Sequence, residues 1–199
     1  MTGMDSMYKH RTVFTCSAIL LFILTLIVVS SHGKGNRIVA PDNTVLTVDS
    51  PDKAFDIWQG KKVRGRSLLL FDTYPHAGGL GSYSGPPQLT PSNLVEFSIF
   101  RNIVRKIYFM VPETEWNTLQ QQKWIIPIRE VPHLEKGLFL YNLNGIPLIA
   151  TTPSSLPPLT EKVLVYVNSR IFTPDQVRDL LAQKGISSDI FITYQGHGR

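Results

Sequence analysis

Cysteine is almost absent: Cys16 is the single one in 199 residues, and it lies inside an apolar run near the amino terminus. The remainder of the chain therefore has no disulfide framework, no thiolate zinc site and no thiol nucleophile. The residues just before Cys16 are not the small ones that precede a lipidated cysteine. Charge is also sparse, at 18% of residues, with a formal balance of +5. Its densest basic cluster is Lys61, Lys62, Arg64 and Arg66. No aromatic side chains interleave with these cations, which argues against nucleic acid as a partner. The cluster reads as a solvated helix-to-strand loop, or as a patch that rests on acidic headgroups. No repeat of fixed period stands out. The glycine-rich residues 78–85 lack a following Lys-Ser pair, and Pro86-Pro87 delay the helix that would present its amino end to a phosphate. Ser82 and Ser84 do not sit on a strand-to-helix elbow, so neither reads as a hydrolase nucleophile.

One long hydrophobic run is present. Residues 12–31 carry no charge and residues 13–29 are almost wholly apolar, flanked by Lys9, His10 and Arg11 before and by Lys34 and Arg37 after. As a helix, residues 13–29 would span roughly 26 Å against a hydrocarbon core of about 30 Å. The expectation is an export signal over residues 1–31, retained as a single-pass membrane anchor or cleaved near Ser31 or Gly33. The amino-terminal tail would stay in the cytoplasm. The rest would lie on the non-cytoplasmic side, periplasmic or secreted if the signal is removed. Residues 32–42 read as a polar linker.

From residue 43 onward strand and helix signals alternate. Residues 44–48 form a β-branched run. Ser50 and Pro51 then open a helix with Ala54, Phe55 and Trp58 on its apolar face. Residues 67–71 are an aliphatic strand ending on Asp72. A helix starts at Ser92 or Asn93, a strand covers residues 106–111, and Pro112 opens a helix carrying Trp116 and Leu119. Residues 138–141 and 146–150 flank the turn signal Asn142-Leu143-Asn144-Gly145. Residues 163–167 are a strand, Thr173-Pro174 open a helix that Gly185 stops, and residues 190–194 are a last strand. Aliphatic rather than alternating strands, separated by helices, predict an α/β fold: a three-layer α/β/α sandwich with a mainly parallel sheet over residues 43–199.

In a parallel sheet the carboxyl ends of the strands share one rim. That rim would gather Asp72, Tyr74 and His76, then Glu113 and Glu115, then Asn168 and Arg170, with His197 beyond the last strand. Carboxylate, imidazole and guanidinium groups on one edge suit an anion or polar small molecule. The plainer alternative is that His76 and His197 are ordinary loop histidines and that Arg170 is solvated.

The order of the segments carries a resemblance. Val45-Leu46-Thr47-Val48-Asp49-Ser50-Pro51 leads into Gly65-Arg66-Ser67-Leu68-Leu69-Leu70-Phe71-Asp72. Asn93-Leu94-Val95-Glu96-Phe97 and Lys106-Ile107-Tyr108-Phe109-Met110-Val111-Pro112 follow, then Val163-Leu164-Val165-Tyr166-Val167-Asn168-Ser169-Arg170. Over residues 44–195 this resembles an uncharacterised family related to the arginase and histone-deacetylase superfamily. Its members carry His-Ile-Asp-x-His-x-Asp after the first buried strand and Asp-x-Asp-x-Phe after a later one. Those side chains hold one or two divalent metals that activate water against a C–N bond. Here the first motif's positions fall on Leu70, Asp72, Tyr74 and His76, and the second motif's aspartates on Asn168 and Arg170. Only Asp72 keeps its ligand type.

The resemblance therefore implies a metallohydrolase frame that has lost its metal site, with no metal or cofactor expected. Arg170 would put a permanent cation where a metal should sit, at roughly 4 kcal/mol of repulsion per charge pair at about 4 Å. An Asp72–Arg170 ion pair, with Tyr74 and His76 beside it, is the predicted filling of that space. The functional expectation is a binding or scaffold component of the cell envelope, with an unknown protein or small-molecule partner. Two alternatives stand beside it. One is a hydrolase of C–N or ester bonds using His76 or His197 as base and Asp72 to orient it. The other is an anion- or sugar-binding module using Arg170.

Overall fold

The alternation of signals becomes an alternation of elements. The computed structural model describes residues 44–80, 86–122, 133–135 and 138–195. Within them lie β1 (Val45–Val48), α1 (Pro51–Gly60), β2 (Arg66–Phe71), α2 (Leu94–Phe100), β3 (Val104–Met110) and α3 (Glu113–Gln122). Then come β4 (His133–Glu135), β5 (Leu138–Leu143), β6 (Ile146–Thr151), β7 (Val163–Asn168), α4 (Pro174–Lys184) and β8 (Ser188–Tyr194). Residues 13–29, Cys16, the linker 32–42, Ser82, Ser84 and His197 lie outside the described residues. Among the described residues no helix is long and apolar enough to cross a membrane.

The eight strands form one sheet in the order β1-β8-β7-β2-β3-β6-β5-β4. From β1 to β6 along that order every pairing is parallel; β5 and β4 extend the sheet antiparallel. The fold is thus α/β with a mostly parallel sheet, as the aliphatic strands predict. Both faces of the central strands are buried. On β2, Leu68 and Leu70 join one apolar cluster with Ala54, Phe55 and Trp58 of α1 and Leu94 and Val95 of α2. Leu69 and Phe71 join a second cluster with Val177 and Leu181 of α4. A strand with two covered faces has no polar face to alternate with, which is why β2 and β7 read as unbroken apolar runs.

The direction of the chain explains which face each helix takes. The β1-to-β2 and β2-to-β3 crossovers move one way across the sheet, and the β7-to-β8 crossover moves the other way. A single crossover hand then requires α1 and α2 on one face and α4 on the opposite face, as the two clusters show.

Local signals mostly act as read. Thr173 and Gln176 form a reciprocal capping box, Pro174 occupies the first turn, and Gly185 closes α4 in the left-handed region at φ 65°. Asn144 (φ 53°) and Gly145 (φ 82°) both take positive φ, making the two-residue turn that suits the twist of the β5–β6 hairpin. Ser50 departs from expectation. Its hydroxyl donates to Asp52 Oδ1 at 2.6 Å, and it makes no side-chain cap bond to α1. The edge strand β4 has no counterpart in the sequence expectations. It has three residues, held by pairing with β5, and so short a segment carries little periodicity of its own.

Candidate functional site

The carboxyl ends of β2 and β7 are neighbours in the sheet, and they lie where the chain's winding reverses: from β2 it proceeds to β3 on one side, from β7 to β8 on the other. In doubly wound sheets this divergence opens a crevice in which ligands bind. Asp72 ends β2 and Asn168 ends β7, so both stand at that point.

A buried cluster of the chain's own side chains stands at this point. After Phe71, the Asp72 N–H continues the ladder to the Met110 carbonyl at 3.2 Å. Asp72 Oδ1 accepts from the backbone N–H groups of Thr73 (2.7 Å) and Tyr74 (3.3 Å), bending the chain out of the strand. His76 adopts φ 49°, a left-handed conformation unusual for a side chain with a Cβ. That reversal returns its ring to Asp72. His76 Nε2 lies 3.0 Å from Asp72 Oδ2, while Nδ1 lies 2.8 Å from the Pro91 carbonyl oxygen. Asn168 Nδ2 donates to Asp72 Oδ1 (3.1 Å) and to the Tyr194 hydroxyl (3.2 Å), and that hydroxyl donates to Asp72 Oδ2. Asp72 is 1% exposed and Tyr194 4%.

The Pro91 contact sets the Nδ1 end of the ring. A carbonyl oxygen only accepts, so Nδ1 of His76 carries a hydrogen. Nε2 lies within hydrogen-bond reach of both Asp72 Oδ2 (3.0 Å) and the Tyr194 hydroxyl (3.1 Å). Burial by itself raises the Asp72 carboxyl. The bonds and charge of His76, with the bonds of Tyr194 and Asn168, outweigh it and hold the group below its ordinary 3.8. Tyr194 is pushed well above the usual phenol range, first by burial and then by the negative charge of Asp72 beside it. Aromatic rings wall the cluster: Tyr166 stacks on Tyr194 at 4.9 Å with 10° between planes, and Tyr74 meets the His76 ring edge-on at 5.2 Å.

Asp72, His76 and Asn168 thus come together, with Tyr74 packed at the edge of the cluster. His76 lies on the loop after β2 but is buried, its ring in contact with the Pro91 carbonyl, Asp72 and the Tyr194 hydroxyl. Arg170 is the correction. The predicted Asp72–Arg170 ion pair does not form: Arg170 is exposed, and only its backbone N–H takes part, donating to Asn168 Oδ1 at 3.1 Å. The chain turns outward immediately after β7, and the space is taken by Tyr194 instead. Glu113 and Glu115 are exposed and stay outside the cluster, with Glu113 accepting from the Ser154 N–H at 3.1 Å. Leu70, at the first motif position, points into the apolar core. Tyr194 is absent from the sequence-derived set. The available signal was a tyrosine at the carboxyl end of a parallel strand, on the same rim as Asp72 and Asn168.

The donor set does not fit the divalent metal that the resemblance implies. Hard cations need several oxygen or imidazole donors with lone pairs to give. Asp72 accepts five hydrogen bonds, and both nitrogens of His76 are engaged. The remaining motif positions offer an aliphatic side chain, a phenol, an amide and an exposed guanidinium. Both ring nitrogens of His76 are already engaged, Nδ1 by the Pro91 carbonyl and Nε2 by Asp72 and the Tyr194 hydroxyl. Comparison with protein-family models, with curated proteins and with solved structures returns no match to this chain.

Proposed function

We propose that residues 43–199 are a metal-free relative of the arginase and deacetylase architecture, a three-layer α/β/α sandwich that works as a binding or scaffold component and not as a hydrolase. One observation carries this reading: the crevice at the strand-order reversal is closed by the hydrogen-bonded cluster of Asp72, His76, Asn168 and Tyr194. Where a doubly wound enzyme keeps room for a ligand, this chain places a saturated carboxylate whose partners come from β2, β7 and β8. Such a cluster ties three strand ends together, and its carboxylate is already fully bonded within the chain. The apolar residues 13–29 support placement at the cell envelope, with the domain tethered to the membrane on its non-cytoplasmic side.

The test is metal content. The full chain, purified in mild detergent and incubated with zinc, manganese or iron before desalting, is expected to retain no stoichiometric metal and to cleave none of a panel of amide and ester substrates. Stoichiometric metal that disappears in Asp72→Asn, together with turnover, would restore the hydrolase. Protease protection in sealed vesicles checks the topology: the domain should be digested only from the non-cytoplasmic side.

A further inference from the structure

The opposite rim of the sheet, where the parallel strands begin, carries a second feature that the reading above does not use. A cleft of about 370 Å³ is lined by Lys61, Lys62, Val63, Arg64, Arg66, Asp189 and Ile190. Four of these side chains are cations and one is a carboxylate. Asp189 is already answered, by Arg66 Nε at 2.7 Å and by Lys162 at 3.6 Å. The other acid of this rim, Glu161, accepts from Ser67 and pairs with Arg105 at 2.6 Å. Among the ion pairs of the described residues, none involves Lys61, Lys62 or Arg64. One cation would suffice to answer the carboxyl end of α1. Here the excess converges on a concavity.

The loop that presents these cations is held by the backbone. Lys62 N–H donates to Gln59 O (2.9 Å) and Val63 N–H to Trp58 O (3.0 Å), tying the loop to α1. Gly65 N–H donates to Asn102 O (2.9 Å) and Arg66 N–H to Ile103 O (2.8 Å), tying it to the turn before β3. Lys62 itself takes φ 56°, where glycine is the usual occupant. Arg64 Nη1 donates to the Val63 carbonyl at 2.7 Å, which anchors the guanidinium near its own backbone. A backbone-braced loop that gathers four cations around a small cleft favours a compact ligand of high negative charge over a diffuse surface contact.

We propose that this cleft binds a phosphate-bearing anion, with Lys61, Lys62 and Arg64 as the charges that hold it and Arg66, fixed by Asp189, as its wall. The chemistry is shared by soluble phosphate compounds and by lipid phosphate headgroups, and the experiment separates them. Pyrophosphate is titrated calorimetrically into the full chain in nonionic detergent, at constant ionic strength. Flotation with vesicles of phosphatidylcholine, with and without phosphatidylglycerol, is run in parallel. The variants are Lys61→Gln/Lys62→Gln/Arg64→Gln and, separately, Lys62→Gly, which suits the left-handed backbone and so should keep the fold. Lys53→Gln, at the far end of α1, is the charge control.

The triple variant should weaken pyrophosphate binding at least about tenfold, equivalent to about 1.4 kcal/mol. Lys62→Gly should weaken it severalfold, and Lys53→Gln should leave it unchanged. Loss of pyrophosphate binding with unaltered flotation assigns a soluble ligand. A phosphatidylglycerol-dependent flotation that the triple variant loses, without pyrophosphate binding, assigns a headgroup. The proposal is overturned if neither probe binds, or if binding survives in the triple variant.

Discussion

Asp72→Asn is the sharpest perturbation of the closed crevice, because it removes one charge and changes almost no volume. If the asparagine oxygen takes the place of Oδ1, it keeps the Thr73, Tyr74 and Asn168 donors. The new amide nitrogen then stands where Oδ2 was, facing His76 Nε2 and the Tyr194 hydroxyl. His76 then faces an amide nitrogen in place of a carboxylate oxygen, which forfeits a charge-assisted bond worth about 1.5–3 kcal/mol. The Tyr194 hydroxyl, which already accepts from Asn168, loses its acceptor at a further cost of about 1–3 kcal/mol. The expected loss is about 3–5 kcal/mol, or roughly 6–20 °C in Tm for a domain of this size. Urea denaturation at pH 7 gives the magnitude. Because the carboxyl is held below 3.8 in the folded chain, its contribution is complete above that value and fades as pH falls toward and through the lower folded value. The gap between wild type and Asp72→Asn should therefore narrow in acid. A loss below about 1 kcal/mol at pH 7, or a gap that widens in acid, would refute the account of the cluster.

Trp58 is fully buried beside Tyr166, and Trp58→Ala should cost about 3–5 kcal/mol by chemical denaturation. Glu96 is largely buried with Oε2 unpartnered; burial raises its carboxyl, partly offset by the Gly79 N–H. Its share of stability is complete below the ordinary 4.5 and is lost as pH rises through the higher folded value, so Glu96→Gln should raise Tm at pH 7 and change it little at pH 4. Arg170→Met should shift stability by no more than about 0.5 kcal/mol, since its side chain is exposed and outside the Asp72 cluster; a loss several times larger, in the same denaturation assay, would bring back the ion pair that the sequence suggested.

The parallel strands and the capped helices were legible because each rests on local chemistry. β2 and β7 are apolar runs of strand length, and α4 carries Thr173, Pro174, Gln176 and Gly185 at the positions its ends need. The meeting of Asp72 with Asn168 was legible too, since both end parallel strands on one rim. What the sequence concealed is direction at short range. Arg170 lies two residues beyond Asn168, and whether the chain turns in or out after β7 depends on Ser169 and Asn168 bonding to the end of β8 and to the next turn. Tyr194 was hidden for a related reason: a tyrosine in an apolar strand reads as core until its hydroxyl is given a neighbour, and that neighbour lies 122 residues away. The αL turn at His76 carries no glycine to announce it.

That separation also sets an order of events on the ribosome. β8 is the last described strand in chain order, yet it sits inside the sheet between β1 and β7 and supplies the hydroxyl that completes the Asp72 cluster. At about 5–20 residues per second, the 122 residues between Asp72 and Tyr194 take roughly 6–24 s to synthesise. Throughout that interval the nascent chain holds a carboxylate without its full set of partners and β1 lacks its neighbour, and once β7 is made it too presents an open backbone edge toward the place β8 will take. The protein thus passes through a prolonged unfinished state in which chaperone capture competes with self-association, and insertion of a single late strand completes the cluster.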